Sequence, residues 1–287
     1  MNKKIASIVF AFMLIMCFGF CFSCDKNNDS EKKSVAVSIV PEATFVKAVC
    51  GDNFNIVTAI PAGYNPETYE PTVLEMASIT SAQAYFSIGV PAEENILKTI
   101  TDNSKIVSLA DAAAEQYSEL TLNGGRDPHV WLSIKRVKVM VDKICEVISK
   151  IDPDNSSVYK ANAASYKIQL NEADTYVSGK LKNLSNKKFI VFHPAFGYFA
   201  SDYGLEMYAI EREGSEATAD DLKNMIDFAK ANKIKVVFNQ AEVDDSWITS
   251  FTQQIEGGSF KELSPLSGNY ITNLKSMADA IASSNQE

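Results

Sequence analysis

Histidine is nearly absent from this chain: 2 of 287 residues. Basic residues are outnumbered, 27 lysines and arginines against 36 aspartates and glutamates, for a net charge of −9. So acidic a chain lacks the basic surface that phosphate backbones require, and nucleic acid is not an expected partner. There is no Gly-x-Ser-x-Gly elbow and no His-Glu-x-x-His pair, which removes two common hydrolase signatures. Cysteine numbers 5, and Cys17, Cys21 and Cys24 all fall near the N-terminus. Only Cys50 and Cys145 remain further on, and two distant cysteines do not make a disulfide framework. They are read as two buried thiols or, in an exported chain, one bridge. No short tandem repeat is present.

What is there begins with an apolar run, "IASIVFAFMLIMCFGFCFSC" over residues 5–24, preceded by Lys3 and Lys4 and followed by the hydrophilic "DKNNDSEKKS". A positive start, an apolar middle and a small residue before a cysteine form the order of an export signal. The run is also long enough to span a bilayer, so a retained anchor is the rival reading. Ser23-Cys24 resembles a bacterial lipoprotein cleavage site, with Cys24 as the lipidated first residue; the bulky Phe20 makes Cys21 the weaker candidate. We therefore expect a signal peptide over 1–23, a lipidated tether over 24–34 and an exported protein anchored in a membrane, periplasmic or at the cell surface. Removal of the signal takes Lys3 and Lys4 with it, making the remainder still more acidic.

Short apolar, β-branched runs at 35–40, 54–60, 84–89 and 105–110 read as buried strands. Helical patterns lie between and after them. Ser133 offers an N-cap to a helix whose face is Ile134, Val137, Val141, Ile144 and Ile148. Strands alternating with helices predict a parallel sheet covered on both faces. From 153 to 186, Tyr159, Ala163, Tyr166, Leu170, Ala173, Val177, Leu181 and Leu184 keep a helical spacing, which predicts one helix of roughly 45 Å. The alternation then resumes with strands at 188–193, 206–211 and 234–239 and a helix capped by Thr218 and Asp221. The expected architecture is α/β: two lobes, each with a mostly parallel sheet flanked by helices, joined by one long rigid helix. The N-terminal lobe is placed at 35–152, the linking helix at 153–186 and the C-terminal lobe at 187–287. So stiff a link predicts small loop displacements rather than a wide hinge.

Both histidines fall where open α/β sheets meet ligands. His193 closes its strand, and His129 follows the turn "NGGRDP". Asp127 can accept a ring N–H of His129 and orient the imidazole for a metal. Two imidazoles need further donors to hold a dication. The stiff loop "PAGYNPETYEPT" at 61–72 supplies one, presenting Glu67, Tyr69 or Glu70. Each histidine taken singly also fits an ordinary loop or core residue.

Three stretches, in this order, resemble the metal-binding solute-binding lipoproteins of bacterial zinc and manganese ABC importers: "NPETYEPT", "DPHVWLS" and "HPAFGYFASDYGL". "IEREGSEATADDL" resembles the family's segment before a helix of the C-terminal lobe. The likeness covers about residues 35–283. It implies two α/β lobes with a metal between them and, carried over position by position, the ligands Glu67, His129 and His193. The family's first loop usually has histidine where Glu67 stands. Zinc accepts two histidines and a glutamate readily, whereas manganese favours carboxylates, so Zn²⁺ is the expected ion and Mn²⁺ the alternative. Many relatives add an aspartate; the matching stretch here, "ELSPLSGNY", offers Ser264, leaving water or Glu242 to complete the shell. Glu70, Asp127 and Glu242 are candidates to offset the ion's charge. The resemblance also implies a permease in the inner membrane as partner and a monomer attached to lipid through Cys24. The competing functions are an adhesin-like lipoprotein with a vestigial or structural site and, further off, a zinc hydrolase.

Overall fold

The computed structural model describes residues 32–211, 217–240 and 246–285. The expected signal peptide, Cys24 and Glu242 lie outside the described residues. Lys33–Glu287 form one compact unit. Its first side-chain anchor is Lys33, whose Nζ donates to the carbonyl of Ile151 and to Asp152, each at 2.9 Å.

The first half alternates as the sequence predicts. Strands β1 (Ser34–Val37), β2 (Asn55–Thr58), β3 (Tyr85–Ser87) and β4 (Ile106–Ser108) form a wholly parallel sheet in the order β2-β1-β3-β4. Helices α1 (Val40–Cys50), α2 (Val73–Ser81), α3 (Glu93–Leu97) and α4 (Leu109–Ala114) connect them. A small antiparallel hairpin, β5 (Thr121–Leu122) and β6 (Gly125–Arg126), leads to α5 (Ile134–Ile151). Ser133 caps α5 by accepting from Arg136 N, and the apolar face from Ile134 to Ile148 is buried.

The long helix α6 (Ser156–Leu181) has 26 residues, or about 39 Å at 1.5 Å per residue. Its buried stripe, Tyr159 to Leu181 at helical spacing, is the one the periodicity predicts. It begins after a 3-10 turn at Pro153–Asn155, and Leu184 falls beyond its end. The stripe belongs to a core cluster that also holds Val35, Phe45, Val141, Phe189 and Leu274. α6 is therefore packed along its length against both sheets' helices rather than standing free. Leu170 is wholly buried there, and truncation to alanine costs about 2–5 kcal/mol at such a position.

The second half repeats the plan. Strands β7 (Lys188–Val191), β8 (Glu206–Ala209), β9 (Val236–Asn239) and β10 (Ser259–Glu262) form a second parallel sheet, in the order β10-β9-β7-β8. Helices α7 (Gly197–Tyr203), α8 (Ala219–Ala231), α9 (Ser246–Thr252) and α10 (Tyr270–Ser284) accompany them, and Thr218 and Asp221 form the expected capping box of α8.

Nearly every strand is shorter than its apolar run, and most of the trimming is at the C-terminal end. The run 35–40 shows why. The Glu42 carboxylate accepts the N–H groups of Ser38 and Ile39 at 3.0 Å. This draws the chain out of the ladder, and Pro41 then sits in the first turn of α1. The residues released from the strand ends become the loops that face the site. Cys50 and Cys145 are both buried and free.

Candidate metal centre

Glu67 sits in the loop between β2 and α2. The Asn65 side chain accepts its backbone N–H at 2.8 Å, bending the loop. Ala92 N donates to the Pro66 carbonyl at 3.0 Å, which ties the loop to the turn after β3. That turn is itself shaped by Glu93, whose carboxylate accepts Ile88 N at 2.7 Å and Gly89 N at 2.8 Å. Gly89 has φ +96°, a conformation that favours glycine. Glu67 is directed inward and half-buried. Glu70 is exposed and is not brought to the site: the intervening Tyr69 packs against the core and donates to Glu75 at 3.0 Å, so the next residue faces solvent.

His129 is held by Asp127, whose Oδ1 accepts both the backbone N–H and the ring Nδ1–H of His129 at 2.9 Å. Both side chains are buried. Asp127 fits because residue 197 is glycine: a Cβ there would stand 2.8 Å from Asp127 Oδ2. Burial pushes the His129 imidazole below its ordinary pKa, against the upward pull of Asp127.

His193 follows β7 by two residues, with Phe192 N still donating to the Phe238 carbonyl at 2.9 Å. Its Nδ1 lies 2.5 Å from Glu211 Oε1. Glu211 stands just beyond β8, the neighbour of β7, and its N–H bonds the Phe192 carbonyl at 3.1 Å. Glu211 was not among the residues singled out from sequence; only the order of the strands puts position 211 beside position 193.

The two carboxylates fix the chemistry of the cavity between these elements. An ionised carboxylate only accepts, so Asp127 and Glu211 each accept from an Nδ1–H, and the two Nε2 atoms are left to face the cavity. The two Nε2 atoms are 3.2 Å apart. His193 Nε2 is also 3.3 Å from Glu67 Oε1. That oxygen is buried and accepts no hydrogen bond among the described residues. His129 Nε2 and Glu67 Oε1 thus both approach His193 Nε2. Two ligands bound to zinc at about 2.0–2.1 Å with a tetrahedral angle would stand about 3.3 Å apart. Both separations match that spacing. Among the described residues no three acidic, cysteine or histidine side chains are placed together so as to hold a metal ion; two close pairs share His193 Nε2.

The cavity has a volume of about 30 Å³ and is walled by Glu67, His129 and His193 together with Val90, Trp131, Gln240, Pro265 and Leu266. Trp131 Nε1 donates to the Pro265 carbonyl at 2.8 Å, and Tyr270 OH to the Trp131 carbonyl at 2.6 Å, joining the wall to the start of α10. Ser264 is not on the wall; its carbonyl accepts from Asn273. Asp127, Glu67 and Glu211 pair with the two imidazoles. A dication arriving there would meet three carboxylate charges, which answers the cost of burying a surplus positive charge.

Residues 35–284 match the family described as "ZnuA: Zinc-uptake complex component A periplasmic". The high-affinity zinc uptake system protein ZnuA of Bacillus subtilis is 27% identical over 281 residues, covering 90% of this chain and 88% of that protein. The zinc-binding lipoprotein AdcA of Streptococcus pneumoniae is 27% identical over 257 residues, 83% of this chain; the chain spans 51% of its length. A crystal structure of ZnuA superposes with a TM-score of 0.82 at 33% identity, covering 89% of this chain and all of the other. The periplasmic zinc-binding protein TroA of Treponema pallidum, at 21% identity, shares the fold with a TM-score of 0.82.

Proposed function

The chain belongs to the periplasmic component A family of zinc-uptake complexes, and from that premise we propose that it captures one divalent metal ion outside the cytoplasm and delivers it to a membrane importer. Glu67 Oε1, His129 Nε2 and His193 Nε2 are the ligands, with Asp127 and Glu211 holding the two rings in the tautomer a metal needs. The observation that carries this reading is the approach of the two imidazole Nε2 atoms and of the Glu67 carboxylate to one another on the wall of one cavity.

The cargo is Zn²⁺, with Mn²⁺ the competitor. Two nitrogens and one oxygen suit zinc's four-coordinate preference, and both the Bacillus subtilis and the Streptococcus pneumoniae relatives are named for zinc. The partner is an ABC permease. The role is binding rather than turnover. We further propose export by the segment 1–23, attachment to lipid through Cys24, action as a monomer, and a working division into lobes 35–152 and 187–287 around the helix of 153–186.

The test is elemental analysis of the lipid-free protein after dialysis, with zinc and manganese in competition. One ion per chain is expected, with zinc preferred, and sharp loss in His129→Ala and in His193→Ala. Full retention in both variants would refute the ligand assignment. Glu67→His sharpens it: the ratio of zinc to manganese should move if this position sets selectivity.

A further inference from the structure

One buried polar group on the cavity wall has no role in the account so far. Gln240 is 6% exposed, and its Nε2 has no hydrogen-bond partner among the described residues. A buried amide N–H without an acceptor forfeits the hydrogen bond it made to water and is destabilising. Such a group is expected to find its acceptor in something else that enters the cavity.

The sheet explains why Gln240 is there. In the register of β7 and β9, Ile190 stands beside Val237 and Val191 beside Phe238. Two residues further, His193 and Gln240 come abreast, and the alternation of a strand puts both on the face of Val191 and Phe238. Those two residues belong to the main core cluster, whereas Ile190 and Val237 belong to the cluster on the other face. β7 and β9 are also the strands between which the order of the second sheet reverses. The crevice at such a reversal is where open α/β sheets bind ligands.

Resting on the metal reading above, we propose that Gln240 is a positioning residue for the fourth ligand: its Nε2 donates a hydrogen bond to a water bound to the metal. Glu67, His129 and His193 supply three donors, and a tetrahedral ion takes a fourth. The cavity, at about 30 Å³, is large enough to hold a water molecule. A neutral donor at this place orients the lone pair of that water towards the metal without adding charge. It keeps the site four-coordinate, which favours zinc over ions that prefer six oxygen-rich ligands.

The experiment uses the lipid-free protein with Zn²⁺, Mn²⁺ and the optical probe Co²⁺, in the wild type, Gln240→Leu, Gln240→Glu and His193→Ala. Gln240→Leu should release zinc about 10–100-fold faster, the range for groups that orient metal ligands, and should narrow the preference for zinc. Gln240→Glu puts a carboxylate where the water was held, so the visible Co²⁺ spectrum should shift and manganese should gain on zinc. A purely structural role would move the melting temperature of the metal-free protein and leave the spectrum and the metal ratio alone. Spectra and release rates within twofold of wild type in both Gln240 variants would overturn the proposal; if Gln240→Leu does not fold, the spectrum and metal ratio of Gln240→Glu decide alone. Loss of binding in His193→Ala alongside unchanged Gln240 variants sinks this inference only. Binding that survives in His193→Ala sinks the metal reading itself.

Discussion

The two halves of the molecule share one plan, four parallel strands whose order reverses beside the cavity, yet they build its walls differently. The second half places His193 two residues off a strand and braces it with Glu211 from just beyond the next strand. The first half reaches in with Glu67 on a long loop whose neighbours are bare to solvent: Tyr64 is 53%, Val73 86% and Leu74 81% exposed. That loop hangs from the turn after β3, and the turn is in turn shaped by the buried Glu93 carboxylate. The difference teaches which side yields. The His193 wall is continuous with packed sheet, whereas the glutamate arm is held by a few hydrogen bonds, so capture and release should be governed by the arm.

The largest expected effect comes from breaking the rigid wall. His193→Ala should lower zinc affinity by more than about 100-fold, beyond the range seen for orienting groups, measured by competition with a chelator. Glu211→Ala and Asp127→Ala keep all three proposed ligands but free a ring, and each should cost about 10–100-fold. Tyr69→Phe removes one hydrogen bond from the arm, a net of about 1 kcal/mol. It should speed zinc release by less than tenfold with little change in melting temperature, and an effect as large as that of Glu211→Ala would erase the contrast between the walls.

A smaller effect concerns pH. Burial raises the Glu93 carboxyl to about 6 from an ordinary 4.5. The folded chain then holds a proton that the unfolded chain has lost between those values, so this group's contribution to stability falls as pH rises from about 4.5 to 6. Glu93→Gln should flatten that part of the stability curve, read from denaturant midpoints across the window. The His129 shift has the opposite sign, adding stability as pH rises towards the ordinary histidine range, and it also acts on binding. Its lowered pKa means protons compete with metal only below the ordinary histidine range, so zinc retention should hold to somewhat lower pH than an exposed histidine pair allows.

Much of the site is legible in the sequence because its chemistry is local. Asp127 lies two residues from His129, and scarcity makes both histidines conspicuous. Glu67 is carried by a motif, while the neighbouring Glu70 is not separable from it until the turn shows which residue faces inward. Glu211 and Gln240 are unreadable for the opposite reason: Glu211 bonds His193 from beyond the neighbouring strand and Gln240 lines the same cavity, and strand order is a long-range property. The stripe on α6 is plain because seven buried positions repeat it. The strand ends are not, because apolarity continues past the last ladder bond, as at Ser38 and Ile39 where Glu42 takes over the backbone donors.

The most direct measurement is X-ray absorption at the zinc edge of the loaded, lipid-free protein, with His129→Ala and His193→Ala alongside. The account predicts one zinc surrounded by two imidazole nitrogens and oxygen at about 2.0–2.1 Å, with one imidazole's scattering or the metal itself lost in each variant. A zinc environment without imidazole, or an unchanged one in both variants, would contradict it.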